Sequence, residues 1–364
     1  TLTASSFQIT NSTASSISAK LAGTSSSLSK SGAGTLTLSG ANTYSGGTTI
    51  TGGTVSISAD GNLGAVPGSV DADNILLNGG TLLSTATLTP NSKRGITLGA
   101  NGGTLGVSST KTLTYTGIIA GDGSLTKSDA GTLSLSGTNT YRGGTVITGG
   151  TLSIATDANL GAVPVITDAD NIMLNGGILS LNITLGSARG ITLGSAGGGL
   201  YTTASIGYAG IIAGTTTTGG LTKSGTGTLT LSNSNTYQGV TTISSGTLIV
   251  ENSGALGTST HATAALSISS GAVFKLKGGI TIDRSITVYG VGVSSLGAIQ
   301  NDSGDNQISS KVVLGSNVNI SSTADTLTFS NVISGAFTLT KLGSGTLTLS
   351  GANTYTGQTT ISAG

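Results

Sequence analysis

The chain has 364 residues, of which 61 are Gly, only 7% are charged and 3% aromatic; it carries a net charge of +1 and no Cys or Trp. These values exclude disulfides and thiolate metal sites, the basic footprint of a nucleic-acid binder, and a polybasic patch for anionic lipid. With 36% hydrophobic residues and almost no net charge, the chain is apolar enough to fold. The abundance of Thr, Ser, Val, Ile and Leu favours strands, while Gly and Asn favour turns. Collagen is excluded because Gly does not fall at every third position and there are 3 Pro. No run approaches the length of a membrane-spanning apolar helix.

Residues 1–27 read as the tail of a repeating unit, with no signal peptide at Thr1. A block then runs from Leu28 through Tyr44 to Ile50 and returns three times, from Leu125 through Tyr141, from Leu221 through Tyr237, and from Leu339 through Tyr355. Its lysines, Lys30, Lys127, Lys223 and Lys341, are separated by 97, 96 and 118 residues, so a larger unit repeats and its last copy is expanded. The units are expected at 28–124, 125–220 and 221–338, with 339–364 opening another, in one continuous array over 1–364 that extends beyond this chain.

The rest of the unit repeats as well. The stretch Asp71–Gly80 returns as Asp168–Gly177, and Arg94–Gly99 returns as Arg189–Gly194 and more loosely as Arg284–Tyr289. Tyr115–Gly121 returns as Tyr208–Gly214 and then as Phe329–Gly335.

Within each block, apolar and hydroxyl residues alternate with period two. This places Leu36 with Leu38, Leu133 with Leu135, Leu229 with Leu231, and Leu347 with Leu349 on one strand face. Strands of about five residues joined by short turns hold no separate cores, and no helical pattern intervenes, so βαβ units are ruled out. The remaining solution is an all-β solenoid, a single-stranded parallel β-helix whose inward Leu and Ile rest on those of the next coil. At roughly 20 residues per coil the chain makes on the order of 18 coils. At ~4.8 Å per coil, that is a rod of about 85 Å.

The block Lys-Ser-Gly-x-Gly-Thr-Leu-Thr-Leu-Ser-Gly-x-Asn-Thr-Tyr-x-Gly-Gly-Thr-Thr-Ile, as it stands from Lys30 to Ile50, resembles the passenger-associated transport repeat, or autotransporter-associated β-strand repeat. The resemblance implies a right-handed parallel β-helix passenger of a type V secreted protein, on the surface of a Gram-negative bacterium. It also implies a C-terminal translocator barrel outside this chain, and repeats that aid export and extracellular folding. The absence of Cys suits a chain that crosses an oxidising periplasm unfolded.

The candidate residues read as structural. Asn42, Asn139, Asn235 and Asn353 precede Tyr44, Tyr141, Tyr237 and Tyr355; the asparagines are expected to bond turn backbone and the tyrosines to pack over the coil edge. Arg94 and Arg189 are expected to cover a coil edge with their stems. The pairs Asp71/Asp73 and Asp168/Asp170 share a strand face, as paired acid/base carboxylates do, but they recur with the repeat, whereas an active site occurs once. No catalytic residue and no cofactor is therefore expected. The turn from Asn301 to Asn306 contains the weak metal candidates Asp302 and Asp305, without the ordered spacing of a calcium loop. His261 lacks identifiable partners. Residues 251–330, with the sole Glu251, are the stretch freest to carry function.

The expected role is a non-catalytic cell-surface stalk or adhesin scaffold whose ligand on a host or neighbouring cell is unspecified. A surface-layer or filament subunit that self-associates is the alternative, and a polysaccharide-degrading β-helix a more distant one.

Overall fold

The computed structural model describes residues 1–258 and 265–364. It is all-β, with parallel strands stacked as a solenoid of about 17 turns. The only helical elements among the described residues are three short 3-10 turns, at Asp60–Leu63, Asp157–Leu160 and Val293–Ser295. None is long and apolar enough to cross a membrane. Two compact units divide at Ser180 and Leu181.

In the first unit each coil supplies short strands to up to three stacks. One stack contains Ser6–Ile9, Ser27–Lys30, Thr48–Ile50, Asp71–Leu77, Arg94–Leu98 and Ile119–Gly121. A second runs from Ser15–Ile17 and Thr35–Leu38 to Leu125–Ser128, Thr145–Ile147 and Asp168–Leu174, and a third contains Thr112–Tyr115, Thr132–Leu135 and Thr151–Ile154. Every pairing is parallel, and Leu28 lies beside Thr48, 20 residues later. The alternating pattern therefore does its work between coils. Leu36 stands on Val55, then Leu82, then Leu105, and each is at most 2% exposed. Full burial contributes about 1.5–3 kcal/mol per such side chain, so the continuous apolar spine is what holds coils too short to persist alone.

The repeat does not close on a whole number of turns. The Ser27–Lys30 strand of the first copy belongs to the first stack, whereas its counterpart Leu125–Ser128 belongs to the second. Successive copies in this unit are thus turned by one face. The second unit takes the same step: Leu221–Ser224 stacks with Ser285–Val288 and Val312–Leu314, while Leu339–Leu342 stacks with Thr228–Leu231 and Ile299–Ser303. The final spacing of 118 exceeds 97 by 21 residues, the length of one coil. The structure shows that coil as the strand Val312–Leu314, set between Ser285–Val288 and Ile333–Ser334. Expansion by a whole coil preserves the one-face step.

Candidate functional site

Four polar arrangements recur at the repeats; the lysines, asparagines and arginines satisfy backbone groups that short strands leave open, and the tyrosines pair with threonine hydroxyls. Lys30 continues the inward alternation begun by Leu28 and is wholly buried. Its Nζ donates to the carbonyls of Ser31 (2.6 Å), Gly32 (2.6 Å) and Gly52 (3.2 Å), the last on the next coil. Lys127 does the same with Ser128, Asp129 and Gly149, Lys223 with Ser224, Gly225 and Ser245, and Lys341 with Leu342, Gly343 and Ala363. An ammonium has three N–H donors and each clip supplies three acceptors. The signal for this was available in the sequence, since each lysine stands two residues after an inward Leu.

The asparagines bridge coils. Asn42 accepts from the Leu21 N–H on the preceding coil (2.8 Å) and donates to the Asn62 carbonyl on the following one (2.7 Å). Asn139 joins Ile119 to Asn159 and Asn235 joins Ile212 to Ala255 in the same way, and Asn353 accepts from Ile333. A second asparagine set was not foreseen: Asn62 accepts from the Ser58 and Ala59 N–H groups and donates to Gly40, holding the 3-10 turn to the coil before it, and Asn159 holds its own turn to Gly137.

The tyrosines depart from the expectation. Tyr44, Tyr141 and Tyr237 lie inside the coil, at most 1% exposed, with each hydroxyl hydrogen-bonded to Thr48, Thr145 or Thr241 at 2.6–2.7 Å. The edge position fails because the hydroxyl finds a threonine partner four residues on, which removes the penalty for burying the ring. Tyr355 makes the same bond with Thr359 in the half-exposed final coil, where Leu347 and Leu349 are also half-exposed.

The arginines depart further. Arg94 and Arg189 are fully buried, not laid over an edge. Arg94 Nε donates to Asp60 Oδ1 (2.8 Å), and its Nη groups reach the carbonyls of Leu63, Ala65 and Gly64 and the side chain of Asn74. Planar donors on all sides let a guanidinium saturate the 3-10 turn from within. At the third such position Ser253 replaces the aspartate, and Arg284 instead bonds the Gly239 and Thr258 carbonyls and lies 5.5 Å from the centre of the Tyr237 ring. Burial pushes its pKa down.

Asp71 and Asp73 open a strand, where Asp71 accepts from the Asp73 N–H and from Asn74. At the second copy, the hydrogen bond and charge of Asp168 raise Asp170 above the usual carboxylate range. Asp302 pairs with Lys275 at 3.2 Å, and Asp305 accepts the Thr326 N–H at 2.9 Å. Asn301 and Asn306 are buried and bond each other. Among the described residues no three or more His, Cys, Asp or Glu side chains gather as a metal site. His261 lies outside the described residues.

These buried groups set a pH profile. Burial pushes Lys127 and Lys223 down to about 8 from 10.5, so between those values the unfolded chain binds more protons and stability rises with pH. Burial also raises Tyr44 and Tyr237 from 10.0 to about 12, and Tyr115 and Tyr208 higher still; above pH 10 the unfolded tyrosines ionise first and stability falls. Thermal melts from pH 7 to 11 are expected to peak near pH 10. A profile that stays flat from pH 8 to 10 and only then falls would show that the clip carbonyls hold the ammonium against desolvation.

The passenger-associated-transport-repeat family model matches residues 28–57, 125–154, 221–250 and 339–364, which are the segments carrying the clips. The chain is 38% identical over 338 residues, 85% of its own length, to the adhesin BmaC autotransporter of Brucella suis biovar 1 (strain 1330). It spans 9% of that relative's length. No solved structure gives a significant match. The chain is therefore a β-solenoid in which four segments match the passenger-associated-transport-repeat model, and it is similar, over most of its length, to part of an autotransporter adhesin.

Proposed function

We propose that this chain is a non-catalytic passenger region of a type V secreted surface protein, a rigid scaffold outside the cell that carries adhesive surface and assists its own export. The observation that carries the reading is the use to which the repeats put their polar groups. At each copy, lysine, asparagine and tyrosine are committed to backbone or hydroxyl partners within the coil or on its neighbours, leaving them to stabilise stacking rather than to perform chemistry. A coil completed in this way offers its spine and clip acceptors to the next, which suits a chain that emerges end-first and folds coil on coil. The paired aspartates belong to the same scheme, since both pairs sit at the start of a strand that stacks on its neighbours. A translocator barrel beyond this chain supplies the anchor in this reading.

Export is testable directly. The chain fused ahead of an autotransporter barrel should become accessible to protease added to intact cells, and should release no product from a polysaccharide panel. Retention inside the outer membrane, or glycan cleavage lost on Asp168→Asn, would overturn the reading.

A further inference from the structure

In the last repeat, two glycines of the earlier pattern are replaced by aromatic residues. Tyr289 stands where Gly99 and Gly194 stand in the earlier copies of its strand, and Phe337 stands where Gly123 does. In the first unit those glycines abut: a Cβ on Gly123 would lie 1.9 Å from the Gly99 carbonyl oxygen, so neither corner has room for a side chain. The added coil changes this. It inserts Gly315, Ser316 and Asn317 between the two corners, because Val288 pairs with Leu314 and Val313 pairs with Ser334. Tyr289 and Phe337 then stand two coils apart, about 10 Å at ~4.8 Å per coil.

The two substitutions and the added coil fit one another. The Tyr289 ring lies along the corner over Gly315, where a Cβ would sit 2.3 Å from the ring, so Gly315 is the residue that lets the ring lie flat. Gly290 N–H donates to Ser316 Oγ at 2.6 Å and Asn317 Oδ1 accepts the Thr338 N–H at 3.2 Å, which ties the three corners into one surface. Both rings remain open to solvent, Tyr289 at 41% and Phe337 at 38%. The loop beyond Tyr289 is fastened by Asn319 Nδ2 to the Ser295 carbonyl at 3.0 Å and leaves Leu296 exposed. Residues 289–298, 315–317 and 335–338 contain no charged side chain.

We propose that this corner is a binding shelf for a neutral oligosaccharide. Two exposed rings a disaccharide's span apart offer faces for two sugar rings, and the serine and amide floor between them offers hydroxyl-matching polar groups. The absence of charge favours a neutral ligand over an acidic or basic one. The proposal stands apart from the export reading, since binding by the isolated chain is read whether or not that chain is secreted.

The test titrates the 364-residue chain with neutral cello-, chito-, manno- and galacto-oligosaccharides of one to four units, followed by calorimetry and saturation-transfer NMR. At least one series should bind, with the longer members tighter than the monosaccharide. Tyr289→Gly and Phe337→Gly restore residues that earlier units tolerate, and each should weaken binding about tenfold or more while melting stays as in the parent. Tyr289→Phe retains the ring and should bind like the parent, as should a change at the distant exposed Tyr201. Failure of every series to bind, or equal binding by both glycine variants, overturns the proposal. Self-association of the parent that the glycine variants abolish, with no saccharide bound, assigns the shelf to a second copy of the chain and overturns it equally.

Discussion

Leu36→Asp is expected to cost more than about 4 kcal/mol, because it removes a buried leucine and puts a carboxylate in its place. Leu36 is wholly buried, with Val55 standing directly on it. Its neighbour Thr37 points outward and is exposed, so Thr37→Asp should change stability by no more than about 0.5 kcal/mol. Chemical denaturation of both variants checks the difference. Hydrogen exchange should show the damage centred on the coils beside Leu36 and fading along the stack, because each coil is supported by its neighbours. Comparable losses from the two substitutions would mean that the inward and outward faces are misassigned.

Arg94→Met should cost about 3–5 kcal/mol, the range for breaking a buried charge network by removing one partner. Methionine fills much of the volume but leaves the Leu63, Gly64 and Ala65 carbonyls and Asn74 without their donor. Arg94→Lys should recover only part of the loss, since a single ammonium does not reach acceptors spread around a planar fork. The converse change is informative at Arg284, whose Nε has no hydrogen-bond partner among the described residues. Ser253→Asp supplies a carboxylate at the position Asp60 occupies beside Arg94, and should raise the melting temperature of the second unit. Urea titrations of the three variants give the comparison; a neutral Arg94→Met would show that the turn is held by backbone alone.

The spine was legible because period-two alternation is the same signal in every strand, and Leu36, Leu133 and Leu229 all fall where it puts them. The burial of Tyr44 was not legible. A tyrosine in a turn is ordinarily read as an edge residue, and only the stacked geometry brings the hydroxyl onto Thr48. Arg94 was missed for a related reason: an isolated arginine in a nearly uncharged sequence reads as surface, and its acceptors, from Asp60 to Asn74, lie 20 to 34 residues away in sequence, outside any local pattern. Lys30 stood in phase with Leu28 and Ile50, yet a charged residue in an inward position is discounted unless three carbonyls are known to converge there. The one-coil expansion was visible as a spacing, but its consequence for Tyr289 and Phe337 needed the strand register.

The parallel register from coil to coil holds the solenoid together, and disulfide trapping tests it most directly in a chain that has no cysteine of its own. Thr114 lies beside Ser134, and Ser134 beside Ser153, all on outward positions of the first unit. Neighbouring strands sit at ~4.8 Å, inside the Cα range for a disulfide, whereas Thr114 and Ser153 are two coils apart at about 10 Å and outside it. Mild oxidation should therefore close the Thr114→Cys/Ser134→Cys and Ser134→Cys/Ser153→Cys pairs and leave Thr114→Cys/Ser153→Cys reduced. Closure of the distant pair in preference to the adjacent ones would contradict the stacking on which every other conclusion rests.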